Sequence, residues 1–164
     1  MQIKLVGEST LRQKCPLIDI NELKSNKKWY ESLIFNMTEA MNNNLGIGLA
    51  ANQVGYGMRL FVTAFNAVPN IYINPSIEWF SKEMVMMEEG CLSVPGTYLR
   101  LERPSRIKVK YFDIDDMEYK KVDLFGLPAR VAQHEIEHLD GILMTDHAAE
   151  RTLKLQNQNY GILL

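Results

Sequence analysis

The segment from residue 134 to residue 138 reads His-Glu-Ile-Glu-His, a pattern able to do chemistry. On an α-helix, side chains four residues apart lie one above the other on the same face, so His134 and His138 can reach one metal ion together. Glu135 directly follows the first histidine, where its carboxylate can act as a general base on a water held by that metal. The pattern therefore indicates a metal-dependent hydrolase built on these three residues.

Apolar residues around the two histidines indicate that this helix is largely buried. Leu127 and Val131 lie on the histidine face, whereas Ala132, Ile136 and Leu139 occupy another face. A helix that is apolar on two faces is mostly buried, and two unpaired imidazoles would be costly there. Incidental surface histidines are therefore a poor explanation of the pattern.

Two histidines need a third protein ligand, and the sequence restricts where it can lie. One zinc-protease pattern places a third histidine where this chain has Met144. Another places a glutamate on a later helix, whereas the sole glutamate after His138 is Glu150, which follows too closely. The ligand must therefore come from upstream. Cys91 is the leading candidate because it lies in a polar, turn-like run, and Cys15 is interpreted as a small buried hydrophobic residue.

Two helices are predicted from the spacing of apolar residues. The first is an amphipathic helix over about 27–43, where apolar residues recur at three- and four-residue steps. The second begins near Pro128, which suits a first helical turn, and continues to about Asp140. Gly141 is well placed to end it.

Strands are predicted in the segments between these helices. Three short candidates cover 59–64, 70–74 and 84–87, each bounded by Pro, Asn or Ser. Alternating apolar and charged residues predict a hairpin over 106–125, with its turn at 113–116. The order of elements predicts an α+β fold of mostly antiparallel short strands, packed around the central HExxH helix, with an N-terminal amphipathic helix.

Composition describes one globular domain over residues 1–164. The chain has 46% hydrophobic and 23% charged residues and a net charge of −2. This charge balance disfavours nucleic acid or an anionic membrane as the main partner, so we expect no direct nucleic-acid site and no membrane contact, although a local charged patch is compatible with it. Two cysteines, a polar N-terminal segment and the lack of a long apolar run predict a cytoplasmic protein.

Three segments together resemble the signature motifs of the peptide deformylase family. They read GIGLAANQ (46–53), EGCLS (89–93) and QHEIEHLDG (133–141), in the order and spacing of that family. The likeness extends over about 6–146, and three co-linear motifs are far more specific than HExxH alone. The resemblance implies a hydrolase that removes the N-formyl group from the N-terminal formylmethionine of nascent polypeptides and releases formate.

The resemblance also implies a metal centre. One divalent metal ion, Fe(II) in most of the family, would be bound by Cys91, His134 and His138. A thiolate with two imidazoles also suits Zn, Ni or Co. Metal-bound water would attack the formyl carbonyl, with Glu135 as general acid/base.

Further matching residues would hold the substrate. Gln53 and the backbone N–H of Leu92 would bind the formyl oxygen, where negative charge builds during attack. Gly48 would let an extended peptide approach the backbone closely. An apolar pocket for the methionine side chain would be lined by Ile47, Leu127 and Val131.

The chain departs from the family pattern in three places. Glu137 stands where aspartate is usual, and Met144 stands where an aromatic residue is common. After Asp146 the tail is short and nearly neutral, whereas some members use a long C-terminal helix to approach the ribosome. We expect nascent formylmethionyl chains as partners, at most a transient ribosome contact, and a monomer.

Two other functions stay open at this point. A small zinc metallopeptidase is disfavoured because no ligand follows the motif downstream. A catalytically inactive deformylase-like binding module is disfavoured because all three ligands and Glu135 are retained. His147 lies outside the motifs and is interpreted as an ordinary surface histidine.

Overall fold

A computed structural model describes residues 1–65 and 69–149 of the chain. The helices are α1 (Ile20–Ser25), α2 (Lys27–Asn43) and α3 (Leu127–Leu139). The strands are β1 (Gly48–Ala50), β2 (Leu60–Thr63), β3 (Asn70–Phe80), β4 (Met84–Cys91), β5 (Val94–Pro104), β6 (Arg106–Asp113) and β7 (Glu118–Phe125). Short 3-10 helices cover Ser9–Arg12, Ala51–Val54 and Met144–Ala149. None of the helices within the described ranges is long and apolar enough to cross a bilayer.

The strands form two antiparallel sheets. One has five strands in the order β1-β2-β3-β6-β7, and the other consists of β4 and β5. The predicted hairpin is β6–β7, whose register runs from Arg106 opposite Phe125 to Asp113 opposite Glu118. The α+β class with antiparallel strands is therefore confirmed.

Each face of the five-stranded sheet carries a helix. On one face, Ala132 and Ile136 of α3 pack with Phe61, Ile107 and Val109 of the sheet. On the other face, α2 packs against β2 and the first half of β3 through a cluster that includes Leu33, Met37, Leu60, Val62 and Ile73. Burial of these apolar side chains is the main force that fixes both helices. The HExxH helix is thus central, as predicted.

Strand β3 is longer than predicted because it continues through Asn74 and Pro75 to Phe80. The register with β6 shifts between Ile73 and Ser76, and Asn74 has a φ of 50°. The Asn74 side chain also bonds to the backbone N–H and C=O of Ile18, at 2.8 Å each. A β-bulge accommodates an extra residue without ending the strand, so the predicted boundary at residue 74 was wrong.

The second sheet was largely missed from the sequence. The run interpreted as turn-like is strand β4 up to Cys91, and only Leu92 and Ser93 form the turn before β5. In β5, Leu99 and Leu101 are buried while Arg100 and Glu102 are exposed. That two-residue alternation is a strand signal, but Pro and Gly at the start of the segment obscured it.

The helix boundaries agree well with the spacing argument. Helix α2 covers 27–43, and α3 begins at Leu127 with Pro128 in its first turn. Gly141 follows α3 with a φ of 76°, and a Cβ there would lie 2.7 Å from the carbonyl oxygen of Arg12. Only glycine fits both conditions. The short helix α1, capped by Asp19, was not predicted.

Candidate active site and metal centre

The three predicted metal ligands meet between the two sheets. Helix α3 presents His134 and His138 on one face, and β4 ends at Cys91 beside them. The Sγ of Cys91 lies 3.2 Å from Nε2 of His138, which lies 3.2 Å from Nε2 of His134. All three residues are buried, and their ligand atoms lie within 4.8 Å of one another. At these distances the sulfur and the two nitrogens can coordinate one metal ion together.

The chemistry of this donor set fits a divalent metal. Burial raises the pKa of the Cys91 thiol to about 12 and lowers the pKa of His138 well below its usual value. The neutral imidazole is the form that binds metal. A thiol becomes a ligand as the thiolate, so a bound cation would offset the burial that opposes its ionisation. One sulfur and two nitrogens suit Zn, Fe(II), Co or Ni rather than Mg or Ca.

His134 is oriented by a buried carboxylate that the sequence analysis did not assign. Its Nδ1 lies 3.0 Å from Oε2 of Glu89, so the other ring nitrogen, Nε2, is directed at the ligand cluster. Burial alone would raise the pKa of Glu89, but hydrogen bonds with His134 and Arg103 hold it well below its usual value. Glu89 is therefore an anion that fixes the ring and the tautomer of His134.

Two buried arginines hold Glu89 in place. Arg103 of β5 donates to it from Nε at 2.7 Å and from Nη2 at 3.0 Å, and Arg130 of α3 donates from Nη1 at 2.9 Å. Arg103 also makes two hydrogen bonds to Glu137, at 2.6 and 2.9 Å. Glu137, the residue that replaces the usual aspartate, thus completes a clamp between β5 and α3. Arg130 could have been noticed, because an arginine on a buried helix needs a carboxylate partner.

His147 lies at the surface, as predicted, and contacts a carboxylate of α3. Its Nε2 lies 3.0 Å from Oε2 of Glu137, the same oxygen that accepts a hydrogen bond from Arg103 Nη2. Beside this pair is a cavity of about 540 Å³ whose lining includes Phe80, Met86 and Gln133. None of the residues predicted to bind substrate lines that cavity.

Glu135 lies against the first motif. Neither carboxylate oxygen has a hydrogen-bond partner among the described residues, and the side chain is fully buried. Burial raises the pKa of this carboxyl well above its usual value. A Cβ on Gly48 would lie 2.5 Å from Oε1 of Glu135 and 2.7 Å from Cγ1 of Val131. A larger residue at this position would therefore block the Glu135 carboxylate, whereas glycine leaves space beside it for a ligand.

Gln53 and Leu92 lie beside the metal ligands. The Gln53 Oε1 accepts from the backbone N–H of Ala50 at 2.7 Å, which directs its Nε2 to Ser93 Oγ at 3.2 Å and Cys91 Sγ at 3.8 Å. Leu92 packs on the first motif so closely that a Cβ on Gly46 would lie 2.8 Å from its Cδ1. The three motifs thus converge, although they are far apart in sequence.

The three residues predicted to line the methionine pocket differ in burial. Val131 is buried next to Gly48, whereas Ile47 and Leu127 are half-buried at the ends of the same region. Leu127 precedes Val131 by one turn of α3, so both lie on the histidine face. Their role in a pocket stays a prediction.

Comparisons with known proteins agree with this site. The family model described as polypeptide deformylase matches residues 1–154. The peptide deformylase of Dictyoglomus thermophilum is 41% identical over 157 residues, which cover 96% of this chain and 98% of that protein. The peptide deformylase of Salinibacter ruber is 37% identical over 161 residues, covering 90% of this chain and 80% of that protein.

Solved structures give the same result. The Thermotoga maritima peptide deformylase aligns with a TM-score of 0.80 and 39% identity, covering 88% of this chain and 95% of that one. An Acinetobacter baumannii peptide deformylase bound to Met-Ala-Ser aligns with a TM-score of 0.83 and 35% identity, covering 89% and 96%. The chain therefore belongs to the peptide deformylase family, the metal-dependent hydrolases that remove the N-formyl group from nascent polypeptides.

Proposed function

We propose that this chain deformylates N-formylmethionyl peptides at the site where the three motifs converge. The observation that carries the proposal is the cluster of Cys91, His134 and His138 beside the buried, unpartnered carboxylate of Glu135. We propose these three residues as the ligands of one divalent ion, Fe(II) in the cell, with Zn, Ni or Co able to replace it. When bound, that ion supplies Lewis acidity and activates the attacking water.

In this proposal Glu135 carries the proton. A divalent ion held by the neighbouring ligands would offset the burial that raises the pKa of Glu135 and so favour its ionised form. The attacking water adds its oxygen to the formyl carbon and gives a proton to this carboxylate. The carboxylate then passes that proton to the amide nitrogen as the C–N bond breaks, which releases formate and a free α-amine. Its burial next to Gly48 supports this role, because no other side chain of the described residues binds either oxygen.

Gln53 and the backbone N–H of Leu92 hold the formyl oxygen. The Gln53 amide is already oriented, because its Oε1 is bonded to Ala50 and its Nε2 points toward Cys91. An oriented donor costs no reorganisation when negative charge develops, and one such donor typically contributes about 3–4 kcal/mol.

The substrate is an extended peptide with methionine next to the formyl group. We propose that Ile47, Leu127 and Val131 contact the methionine side chain, and that the missing side chain of Gly48 gives the formyl group its place next to Glu135. The Acinetobacter relative was solved with Met-Ala-Ser, which has the product's form. The small formyl hydrogen fits this space better than a methyl group would.

The wider setting follows from the substrate. We propose a single catalytic domain over 1–164 that acts in the cytoplasm as a monomer on nascent chains, with transient contact to the ribosome. The relative solved with Met-Ala-Ser supports a peptide ligand for this site.

The test measures formation of the free α-amine of Met-Ala-Ser from formyl-Met-Ala-Ser and from acetyl-Met-Ala-Ser by the metal-loaded protein. Formate released from the formyl peptide and the metal content are determined in the same samples. We expect kcat/KM at least about 100-fold higher for the formyl peptide, about 2.7 kcal/mol of discrimination. Equal rates on the two peptides would contradict the proposal. Internal cleavage of unblocked peptides would favour the metallopeptidase instead.

A further inference from the structure

Helix α2 covers only part of its side of the five-stranded sheet. It packs against β2, the first half of β3, and Phe112 near the end of β6. Beyond it, side chains of β3, β6 and β7 on the same side are exposed or half-buried. We call this region the basic sheet face and define it by Trp79, Arg106, Lys108, Lys110, Tyr119 and Lys121.

The register of β6 and β7 places these cations together. Lys110 lies directly opposite Lys121, and directly opposed residues of an antiparallel pair share a face. Arg106 and Lys108 share that face with Lys110 through the two-residue period of β6, as Tyr119 does with Lys121 on β7. Like charges directly opposite each other lower the stability of a sheet. The Lys110–Lys121 pair is therefore not explained by the stability of the fold.

Only half of the positive charge on this face is neutralised. Arg106 Nε lies 2.6 Å from Asp123 Oδ1, and Lys121 Nζ reaches Glu78 Oε2 at 2.7 Å. Within the described ranges, the two β6 lysines of the basic sheet face have no carboxylate partner. Four cations against two carboxylates leave an excess of two positive charges here, although the whole chain has a net charge of −2.

Each of the two unpaired lysines covers an exposed aromatic ring. Lys108 Nζ lies 5.7 Å from the ring centroid of Trp79, and Lys110 Nζ lies 4.9 Å from that of Tyr119. The two aromatic residues are 45% and 50% exposed. Lysine side chains are flexible, and a cation–π contact at an exposed site is weak. An incoming anion can therefore draw both ammonium groups away and uncover both rings.

We propose that the basic sheet face binds single-stranded RNA. Positive side chains for phosphates, interleaved with aromatic rings on which bases can stack, are the combination that single-stranded nucleic acids need. The local charge excess favours this polyanion over a second copy of the chain, whose net charge is only −2. Because α3 and its metal ligands lie on the opposite side of the sheet, RNA and peptide bind independently. The inference thus goes beyond deformylation.

The first measurement uses the only two tryptophans of the chain, Trp29 and Trp79. In the Trp29→Phe protein, loaded with metal, Trp79 is the only tryptophan left. We expect an oligouridine to quench its fluorescence, with a Kd on the order of 10⁻⁵ M at low salt that weakens as salt rises. Absence of quenching at low salt would overturn the proposal.

Two substitutions of Trp79 test whether its ring stacks on a base, and the anisotropy of a labelled oligouridine measures the affinity. Trp79→Phe should bind RNA within about twofold of wild type, and Trp79→Ala should bind at least about fivefold more weakly.

The second measurement separates this face from general electrostatics. Lys108→Glu/Lys110→Glu should lower RNA affinity at least about tenfold at low salt and reduce the slope of log K against log salt by about 1.4. The matched control is Lys24→Glu/Lys28→Glu, which makes the same charge change at exposed lysines of α1 and α2. Both double variants should release formate at the wild-type rate. Equal loss of RNA binding in the two would contradict the proposal, as would a self-association that only the first double variant abolishes.

Discussion

At the scale of single residues, Glu135 is a buried carboxylate whose surroundings need an explanation. It is fully buried, and neither of its oxygens has a hydrogen-bond partner in the described part of the structure. Burying a carboxylate without hydrogen-bond partners lowers the free energy of unfolding, so the presence of this residue needs a functional reason. Proton transfer between water and the leaving amine is such a reason.

We expect Glu135→Gln to separate proton transfer from metal binding. The amide is nearly isosteric with the carboxylate, so fold and metal content should be unchanged. Turnover of formyl-Met-Ala-Ser should fall at least about 10²-fold, because no group is left to carry the proton. Formate release and metal content, measured on the same preparation, check both statements.

The control for that experiment is His138→Ala. This variant removes a proposed ligand atom, so it should lose the metal itself and with it the activity. If Glu135→Gln kept near-normal turnover, the base would be another residue. If it lost its metal like His138→Ala, Glu135 would be a ligand.

Site residues could be predicted where the chemistry depends on local spacing. The two histidines of α3 are placed by the helical period alone, and Cys91 followed from the lack of a downstream ligand together with the resemblance. Glu89 could not be assigned in the same way, because its contact with His134 joins residues 45 positions apart. Nothing in local sequence tells which of two adjacent glutamates, Glu88 or Glu89, points inward.

At the scale of elements, the salt-bridge clamp joins the small sheet to α3. Arg103 of β5 holds both Glu89 of β4 and Glu137 of α3, and these charges are largely removed from water. Removing one partner of a buried pair leaves an uncompensated charge, which is strongly destabilising. The clamp therefore sets the distance between Cys91 on β4 and the two histidines on α3.

We expect Arg103→Leu to weaken both the fold and the metal site. The free energy of unfolding should fall by about 3–5 kcal/mol, because Glu89 and Glu137 lose their shared cation. Metal affinity should fall about 10- to 100-fold, since the group that orients His134 is less firmly held. Denaturant unfolding and competition with a metal chelator measure the two effects.

Arg106→Leu is the matched control for the clamp. Arg106 also binds one carboxylate with two hydrogen bonds, but the Arg106–Asp123 pair is exposed, at 55% and 36% of the side-chain areas. Exposed pairs are typically worth about 0–1 kcal/mol, and this one is far from the ligands, so metal affinity should be unchanged. Equal losses in the two arginine variants would show that the clamp has no special role.

Elements in which apolar residues recur with a regular spacing were predicted correctly. Strands whose pattern is interrupted by proline or glycine were not. Helices α2 and α3 and the β6–β7 hairpin have unbroken patterns. Strand β3 has Pro75 within it, and its continuation depends on a bulge and on bonds from Asn74 to the distant Ile18. A boundary decided by such tertiary contacts is not visible in a local window of sequence.

At the scale of the whole molecule, the proposed ligands come from two separate parts of the fold, which the salt-bridge clamp also joins. Cys91 belongs to the two-stranded sheet, and the histidines belong to the helix that packs on the five-stranded sheet. An ion that binds the folded chain but not the unfolded one stabilises the fold by mass action. Metal binding should therefore be visible as stability of the entire domain, and not only as activity.

We expect removal of the metal with a chelator to lower Tm by roughly 8–16 °C. An ion present at about 1,000 times its Kd contributes about 4 kcal/mol, and a chain of this size changes Tm by about 2–4 °C per kcal/mol. Adding back Zn(II) or Ni(II) should restore Tm, and thermal unfolding followed by circular dichroism measures it. Cys91→Ala is the decisive comparison, because its Tm should respond much less to chelator or to added metal. An equal response in Cys91→Ala would place the third ligand elsewhere and remove the sulfur from the proposed centre.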